Sequence, residues 1–310
     1  DGSCIYPPVI DLGEDIETCE ESVTLDAGDG YDSYLWSNGE TTQTIEVSES
    51  GDYSIEVGDI PTVLAGGYAM SFDGVDDYIE IPNQANQSGM SELSVMIWTK
   101  FNSFPDWQND IGYGLVDKYQ DANANADLSF GLHTEYDEDA LRFNVRLEDG
   151  NQFNLRFEPF SEYLDTQQWH HITGVYDGSK TYIYWDAHLV AISQDEFIGT
   201  VNTTNFPIVV SKDWGNLEHF DGSMSDLSIW NNALSQSEIQ NYMNCPPTGD
   251  EVGLVGYWNF EEGSGSTVTD LSGNVNDGVI NGATFIEDVP ETNCSNCTSS
   301  DTISVTFLSE

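Results

Sequence analysis

Phe72-Asp73-Gly74-Val75-Asp76-Asp77-Tyr78-Ile79-Glu80-Ile81 decides how this chain is read. An Asp-Gly pair, which readily adopts tight-turn geometry, stands against a strand whose apolar residues alternate. A second phrase of the same kind follows about 150 residues later: Phe220-Asp221-Gly222-Ser223-Met224-Ser225-Asp226-Leu227-Ser228-Ile229-Trp230, then Asn231-Asn232-Ala233-Leu234. The two read as the opening and closing edges of one jelly-roll sandwich. Their carboxylates gather where a calcium ion could sit.

Working outward, nearly every segment reads as β. Thr42–Val47, Tyr53–Val57, Leu93–Thr99, Leu141–Leu147, His171–Tyr176, Thr181–Trp185 and Ile208–Ser211 are short and rich in β-branched and aromatic residues. Gly, Asn and Asp bound them, as strand ends require. Asp177-Gly178-Ser179-Lys180 predicts a hairpin between two of these runs. The one clear helix is Ser235–Met243, where Ser235 as N-cap and Glu238 form a capping box.

The charge is extreme: 55 Asp and Glu stand against 7 Lys and Arg, a net of −48. Such a surface repels nucleic acid and anionic lipid, so neither is an expected partner. It also repels itself, unless bound calcium neutralises local clusters or salty water screens the whole. Hydrophobic residues make up 38% of the chain, enough for the cores of two or three domains. No apolar run approaches the ~18 residues of a membrane-spanning helix, so no membrane insertion is expected. No secretory signal is visible and the first residue is Asp, which reads as a mature fragment of a longer precursor.

Cys4, Cys19, Cys245, Cys294 and Cys297, set among many short strands, point to an oxidising, extracellular and secreted setting. An odd count leaves one cysteine without a partner in this sequence. Cys294-x-x-Cys297 lies in a Thr/Asn/Ser-rich loop, which suits structural bridges rather than redox chemistry. Zinc-site spacings are absent.

Residues 9–58 supply strands at Ser22–Asp26, Ser33–Trp36, Thr42–Val47 and Tyr53–Val57, too few for an immunoglobulin-type sandwich of about seven. Asp301–Leu308 alternates cleanly, with Ile303, Val305 and Phe307 on one face, and a lone strand cannot bury that face. The expectation is that it returns to the N-terminal module, so that the segment between is an inserted domain. The alternative is that it begins a further module.

Four phrases now carry a resemblance: Ser71 through Ile79; Gln168-Trp169-His170-His171-Ile172-Thr173-Gly174-Val175-Tyr176-Asp177-Gly178; Phe220 through Leu234; and Gly256-Tyr257-Trp258-Asn259-Phe260-Glu261-Glu262-Gly263 with Asp270-Leu271-Ser272-Gly273-Asn274. Through them residues 66–286 resemble the laminin-G-like, concanavalin-A-like jelly-roll family of bacterial surface proteins. One departure is the Tyr-Trp-Asn-Phe-Glu-Glu-Gly segment, which usually precedes the Phe-Asp-Gly segment and here follows it, as in a permuted domain. Leu25-Asp26-Ala27-Gly28, Tyr34 through Gln43 and Ser50-Gly51-Asp52-Tyr53 resemble immunoglobulin-like or PKD-like repeats of secreted adhesins. In such repeats a Cys-Thr-x-x-Asp-Thr phrase follows directly, whereas here it is Cys297 to Thr302.

The resemblances imply an all-β fold: a laminin-G-like jelly roll at 60–295 inserted into a small immunoglobulin-like β-sandwich formed by 1–59 and 296–310. They imply disulfides Cys19–Cys297 and Cys245–Cys294, and a structural calcium involving Asp73 and Asp226. From the residues, Asp73, Asp76 and Asp77 cluster within one turn, and Asp221 and Asp226 join them if the two strands are neighbours; alternatively the Asp-Gly pairs only make turns. Asp121, Asn123, Asn125 and Asp127 alternate like the start of an EF-hand loop, but Ala126 and Leu132 occupy its Gly and Glu positions. That stretch is either a non-helical calcium loop or a solvated one. The Asp270–Gly278 stretch is similarly rich in oxygen ligands.

Glycan contact needs aromatic faces on loops, which singles out Trp107, Tyr136, Trp214 and His219, with Tyr113 and Tyr119 beside them. The remaining tryptophans sit in strand patterns and read as core. Retaining glycosidases on this fold carry Glu-x-Asp-x-x-Glu; Glu135-Tyr136-Asp137-Glu138-Asp139-Ala140 lacks the last carboxylate, so catalysis is not expected. The expected function is a calcium-stabilised extracellular adhesion or glycan-binding module of the cell surface. Its partners would be glycans, cell-surface or matrix proteins, or neighbouring repeats of the same precursor. A stalk spacer and an accessory module of a polysaccharide-degrading enzyme are the alternatives.

Overall fold

A strand with one apolar face is stable only against a second layer, because successive side chains leave on opposite faces. The computed structural model describes residues 10–308 except 32, 60–66, 88, 106–111, 121–126, 136–137, 213–217 and 293–296, with backbone only at 59, 120, 127 and 297–299. The chain divides into two compact units: Asp1–Val63 with Asn293–Glu310, and Leu64–Thr292.

Among the described residues of the larger unit, two sheets share one core. The front sheet runs, in spatial order, Gln152–Phe157, Leu141–Arg146, Asp127–Thr134, Gly114–Gln120, Ile208–Val210, Tyr78–Ile81, Gly278–Asn281 and Thr267–Val268. The back sheet runs His188–Ile192, Thr181–Trp185, His170–Tyr176, Leu93–Phe101, Asp221–Trp230, Ala69–Asp73 and Thr284–Ile286, and Leu254–Trp258 pairs with Asp221–Trp230. Ile79, Phe143 and Phe153 from the front meet Val95, Ile172 and Leu227 from the back, all buried. Gly174 is a point of close approach between the sheets, since a Cβ there would enter the ring of Phe143.

The helix Gln236–Asn244 covers part of the other side of the back sheet, packing Ile239 with Met96, Val175 and Trp230. Its capping box is present: Ser235 Oγ accepts from Glu238 N, and Glu238 Oε2 accepts from Ser235 N at 2.7 Å. The Asp177 hairpin also forms, with Asp177 Oδ1 accepting from Ser179 N at 2.8 Å and Lys180 N at 2.7 Å.

The expectation that the two acidic phrases bound the sandwich is corrected. Asp221–Trp230 and Ala69–Asp73 are paired neighbours inside the back sheet, with Asp221 opposite Asp73 and Gly222 opposite Phe72. The chain beyond Trp230 supplies the flanking strand Thr284–Ile286, so neither phrase is an edge.

In the smaller unit, Cys297–Phe307 lies between Ile16–Thr18 and Gly51–Asp59, and Ser33–Trp36 completes that sheet; Val23–Asp26 pairs with Thr44–Val47. Ile303 and Val305 join Leu25, Trp36, Ile45 and Val57 in a common core.

The expected Cys19–Cys297 bridge is also corrected. Thr18 is in register with Phe307, ten residues along the strand from Cys297, which pairs with Asp59. At ~3.3 Å per residue that is about 33 Å, against the ~7 Å limit between bridged Cα atoms. Cys19 is exposed and free. Cys245 is disulfide-bonded, and its expected partner Cys294 lies outside the described residues.

Replacing Cys19 by Ser is expected to remove one reactive thiol from the native protein and leave its melting temperature unchanged. A loss of ~2 kcal/mol or more, the usual cost of breaking a native disulfide, would show Cys19 to be bridged after all.

Candidate functional site

Asp73 ends a back-sheet strand and Asp77 immediately precedes a front-sheet strand, so the turn between them joins the two layers. Asp73 Oδ1 accepts from Val75 N at 2.9 Å and Asp76 N at 3.4 Å, which folds the turn inward. Asp77 Oδ2 accepts from Asp73 N at 3.1 Å. Carboxylate oxygens of Asp73, Asp76 and Asp77 thereby lie within 4.8 Å of one another.

Asp77 is 8% exposed. Its carboxyl is raised above the ordinary range, first by burial and then by the charges of Asp73 and Asp76. Ser211 Oγ at 3.1 Å and the Nδ1–H of His219 at 3.2 Å donate to the Asp77 carbonyl. Gly282, at φ +81°, is needed here because a Cβ would collide with Asp77 Oδ1. The result is a rigid set of hard oxygen donors whose mutual repulsion a divalent cation would relieve. Carbonyls or water would complete the six to eight oxygens that calcium takes.

The other expected ligands fall elsewhere. Asp221 faces Asp73, but its oxygens accept from Asn102 Nδ2 at 3.0 Å and Ser103 Oγ at 2.7 Å. Asp226 lies five residues further along that strand, about 17 Å away, at a bulge where its φ is 51°. The expected pairing of Asp73 with Asp226 is therefore corrected. In the Asp270–Gly278 stretch, Asp270 Oδ1 accepts from Tyr257 N and Ser272 N and Oδ2 from Asn276 N, so this carboxylate staples backbone.

Asp121, Asn123, Asn125, Trp107, Tyr136 and Trp214 lie outside the described residues, and Asp127 opens the strand Asp127–Thr134. His219 and Tyr113, expected on binding loops, are buried; His219 instead braces Asp77. Among the strand tryptophans, Trp36, Trp98, Trp185, Trp230 and Trp258 are buried. Trp169 is the exception, half-buried with Nε1 donating to Asp288 at 3.2 Å.

Two groups escaped the sequence reading. The first surrounds Asp226, whose Oδ1 accepts from the Tyr257 hydroxyl at 2.8 Å and Oδ2 from Ser225 Oγ at 2.9 Å. Burial pushes Asp226 up to about 6. Glu261 is also pushed up to about 6, by burial first and by the Asp226 charge second. The second group is the front-sheet face away from the core. Leu141–Arg146 and Gln152–Phe157 pair with Arg142 opposite Arg156, Asn144 opposite Asn154 and Arg146 opposite Gln152. Every outward position on these two strands is thus Arg, Asn or Gln.

Glu135, 2% exposed, lies between the opposed arginines. Its Oε1 is 2.9 Å from Arg142 Nη1 and 3.0 Å from Arg156 Nε. Glu138 takes Arg156 Nη1 at 2.6 Å. Arg142 also donates to Asn144 Oδ1 at 2.7 Å and Asn154 Oδ1 at 2.6 Å. The period-2 pattern Arg-x-Asn-x-Arg and Gln-x-Asn-x-Arg was present in the sequence as the signal of this face.

A family model described as the concanavalin A-like lectin/glucanases superfamily matches residues 73–240, more than half of the chain. No curated protein matches. Among solved structures, a "putative carbohydrate binding protein" from Bacteroides ovatus ATCC 8483 is similar over 85% of this chain and 80% of its own, with TM-score 0.56 and 17% identity. A heptameric SAP-like pentraxin from Limulus polyphemus is similar over 74% of this chain and 98% of its own, with TM-score 0.47 and 14% identity. At these identities the first likeness shows a shared fold.

A pH series tests the Asp226 environment. A carboxyl raised in the folded state stabilises the fold below its unfolded value and loses that contribution as pH rises through the folded value. Asp226 and Glu261 should therefore make the protein less stable between pH ~4 and ~6. Asp226→Asn, which keeps the shape and one acceptor oxygen but cannot ionise, is expected to flatten that slope in urea midpoints; profiles parallel to wild type would refute the burial of this acid.

Proposed function

This chain belongs to the concanavalin A-like lectin/glucanases superfamily, and from that premise we propose that it is an extracellular, cell-surface module that binds glycans without cleaving them. The observation that carries the proposal is the outward face of Leu141–Arg146 and Gln152–Phe157. Planar hydrogen-bonding side chains are held there by one another on a rigid sheet, as selective polar recognition requires. The likeness to the carbohydrate binding protein of Bacteroides ovatus supports it.

A binding role is favoured over glycoside hydrolysis by the state of the carboxylates. Hydrolysis needs two, one as acid and one as base or nucleophile. Glu135, the buried carboxylate of this face, is clamped by two guanidiniums. The protonatable Asp226 belongs to a back-sheet strand. Calcium at Asp73, Asp76 and Asp77 would rigidify the turn joining the sheets. The smaller unit is taken as an immunoglobulin-like module into which the jelly roll is inserted, supported by the strand Cys297–Phe307 pairing with both Ile16–Thr18 and Gly51–Asp59.

A glycan array probed in calcium should give hits, and incubation with the bound glycans should release no new reducing ends. Silence across the array would favour a stalk spacer, and released ends would make the protein a hydrolase. Calcium at a hundred times its Kd adds about 2.7 kcal/mol, so a chelator should lower the melting temperature by several degrees. Asp77→Asn should abolish the difference; a chelator without effect on the wild type would remove calcium from the proposal.

A further inference from the structure

Among the described residues of the smaller unit, the first strand, Ile16–Thr18, and the last, Cys297–Phe307, run parallel, with Ile16 opposite Val305 and Thr18 opposite Phe307. The match continues past the ladder at the same separation of 289 residues. Leu12 N donates to Asp301 Oδ2 at 2.7 Å, and Ser304 N donates to Asp15 Oδ1 at 2.9 Å. At the other end Leu308 N donates to Thr18 O at 2.8 Å. Two carboxylates thus take the place of carbonyls where the backbone ladder stops. Ile16, Ile303 and Val305 pack in the core behind this contact.

Direction decides what such a contact resists. The chain enters Ile16–Thr18 at its N-terminal end and leaves Cys297–Phe307 at its C-terminal end. In a parallel pair these are opposite ends. Tension from the two sides therefore slides one strand along the other and strains every bond between them at once. An antiparallel pair pulled at one end opens a bond at a time. Gly51–Asp59 against Cys297–Phe307 is of that second kind, with Gly51 opposite Val305 and Asp59 opposite Cys297.

The jelly roll Leu64–Thr292 is connected between Asp59 and Cys297. Those two residues are partners in the ladder, one strand spacing or about 4.8 Å apart. All of the chain between Thr18 and Asp301, the jelly roll included, lies inside the loop that the parallel contact closes. Tension enters Gly51–Asp59 only after that contact fails. It enters the jelly roll only after the antiparallel pairs have then opened in turn from Gly51 to Asp59.

We propose that the parallel contact of 12–18 with 301–308 is a tension-bearing clamp that carries pulling force past the inserted jelly roll. The jelly roll then stays folded while the chain is stretched, whatever ligand it takes, so the inference is independent of the glycan-binding reading.

The test is single-molecule stretching of the whole protein by its two ends. A reductant is present so that the Cys245 bridge does not shorten the extended chain. The smaller unit holds about 80 residues and the jelly roll about 230, which release up to ~290 Å and ~820 Å at ~3.6 Å per residue. The short release is expected first, or both merged into one of ~1,100 Å once the clamp fails. A long release ahead of the short one would overturn the proposal.

Loading direction is tested by moving the N-terminal handle to the exposed chain at residues 48–50, so that Gly51–Asp59 peels from Cys297–Phe307. The first rupture force should fall about twofold, because forced unfolding follows the unfolding rate and bonds strained singly give way sooner. Equal forces in the two geometries would overturn the clamp. Asp15→Ala combined with Asp301→Ala should weaken the first event in end-to-end stretching and leave the long one unchanged. A folded variant with a first event as strong as wild type would overturn the clamp as drawn; if the variant fails to fold, the change of handle decides alone.

Discussion

Phe143 packs its ring onto the bare backbone of Gly174, and the rest of the larger unit depends on that contact between sheets. It brings the layers close enough for one core, and it fixes which way Leu141–Arg146 faces. A strand alternates with period two, so a slip by one residue would exchange its faces. Phe143 and Val145 inward means Arg142, Asn144 and Arg146 outward. The packing that stabilises the sandwich also displays its polar face.

Acidity shapes the remainder. Where carboxylates are close, the fold answers in three ways. Asp270 and Asp221 are saturated by neutral donors. Asp226 and Glu261 are shifted toward the protonated form by burial. Asp73, Asp76 and Asp77 are held together by backbone N–H groups and Gly282, an arrangement suited to a cation.

Much of the sandwich was legible in the sequence because burial writes itself as alternation. Ile303 and Val305 were marked by that pattern, and the Ser235–Glu238 box by its spacing. What the sequence hid was register. Asp226 looked like a neighbour of Asp73 only while the strand position opposite Asp73 was unknown; that place belongs to Asp221. The Cys19–Cys297 pairing failed for the same reason, since proximity of two strands says nothing about which ends meet. The period-2 spacing of Arg142, Asn144 and Arg146 marks an outward strand face, but alternation alone does not separate a binding face from ordinary solvated surface.

The position of Cys297–Phe307 between Ile16–Thr18 and Gly51–Asp59 bears on how the chain is made. The middle strand of that sheet is the last to be synthesised, some 240 residues after the strand it joins. At roughly 5–20 residues per second, the early strands wait on the order of 10–50 s for it. During that time Gly51–Asp59 offers an unpaired edge beside partly formed neighbours, the kind of surface on which nascent chains meet one another. The run of acidic side chains through that region, Asp52 and Glu56 among them, keeps such edges apart by charge until the final strand arrives.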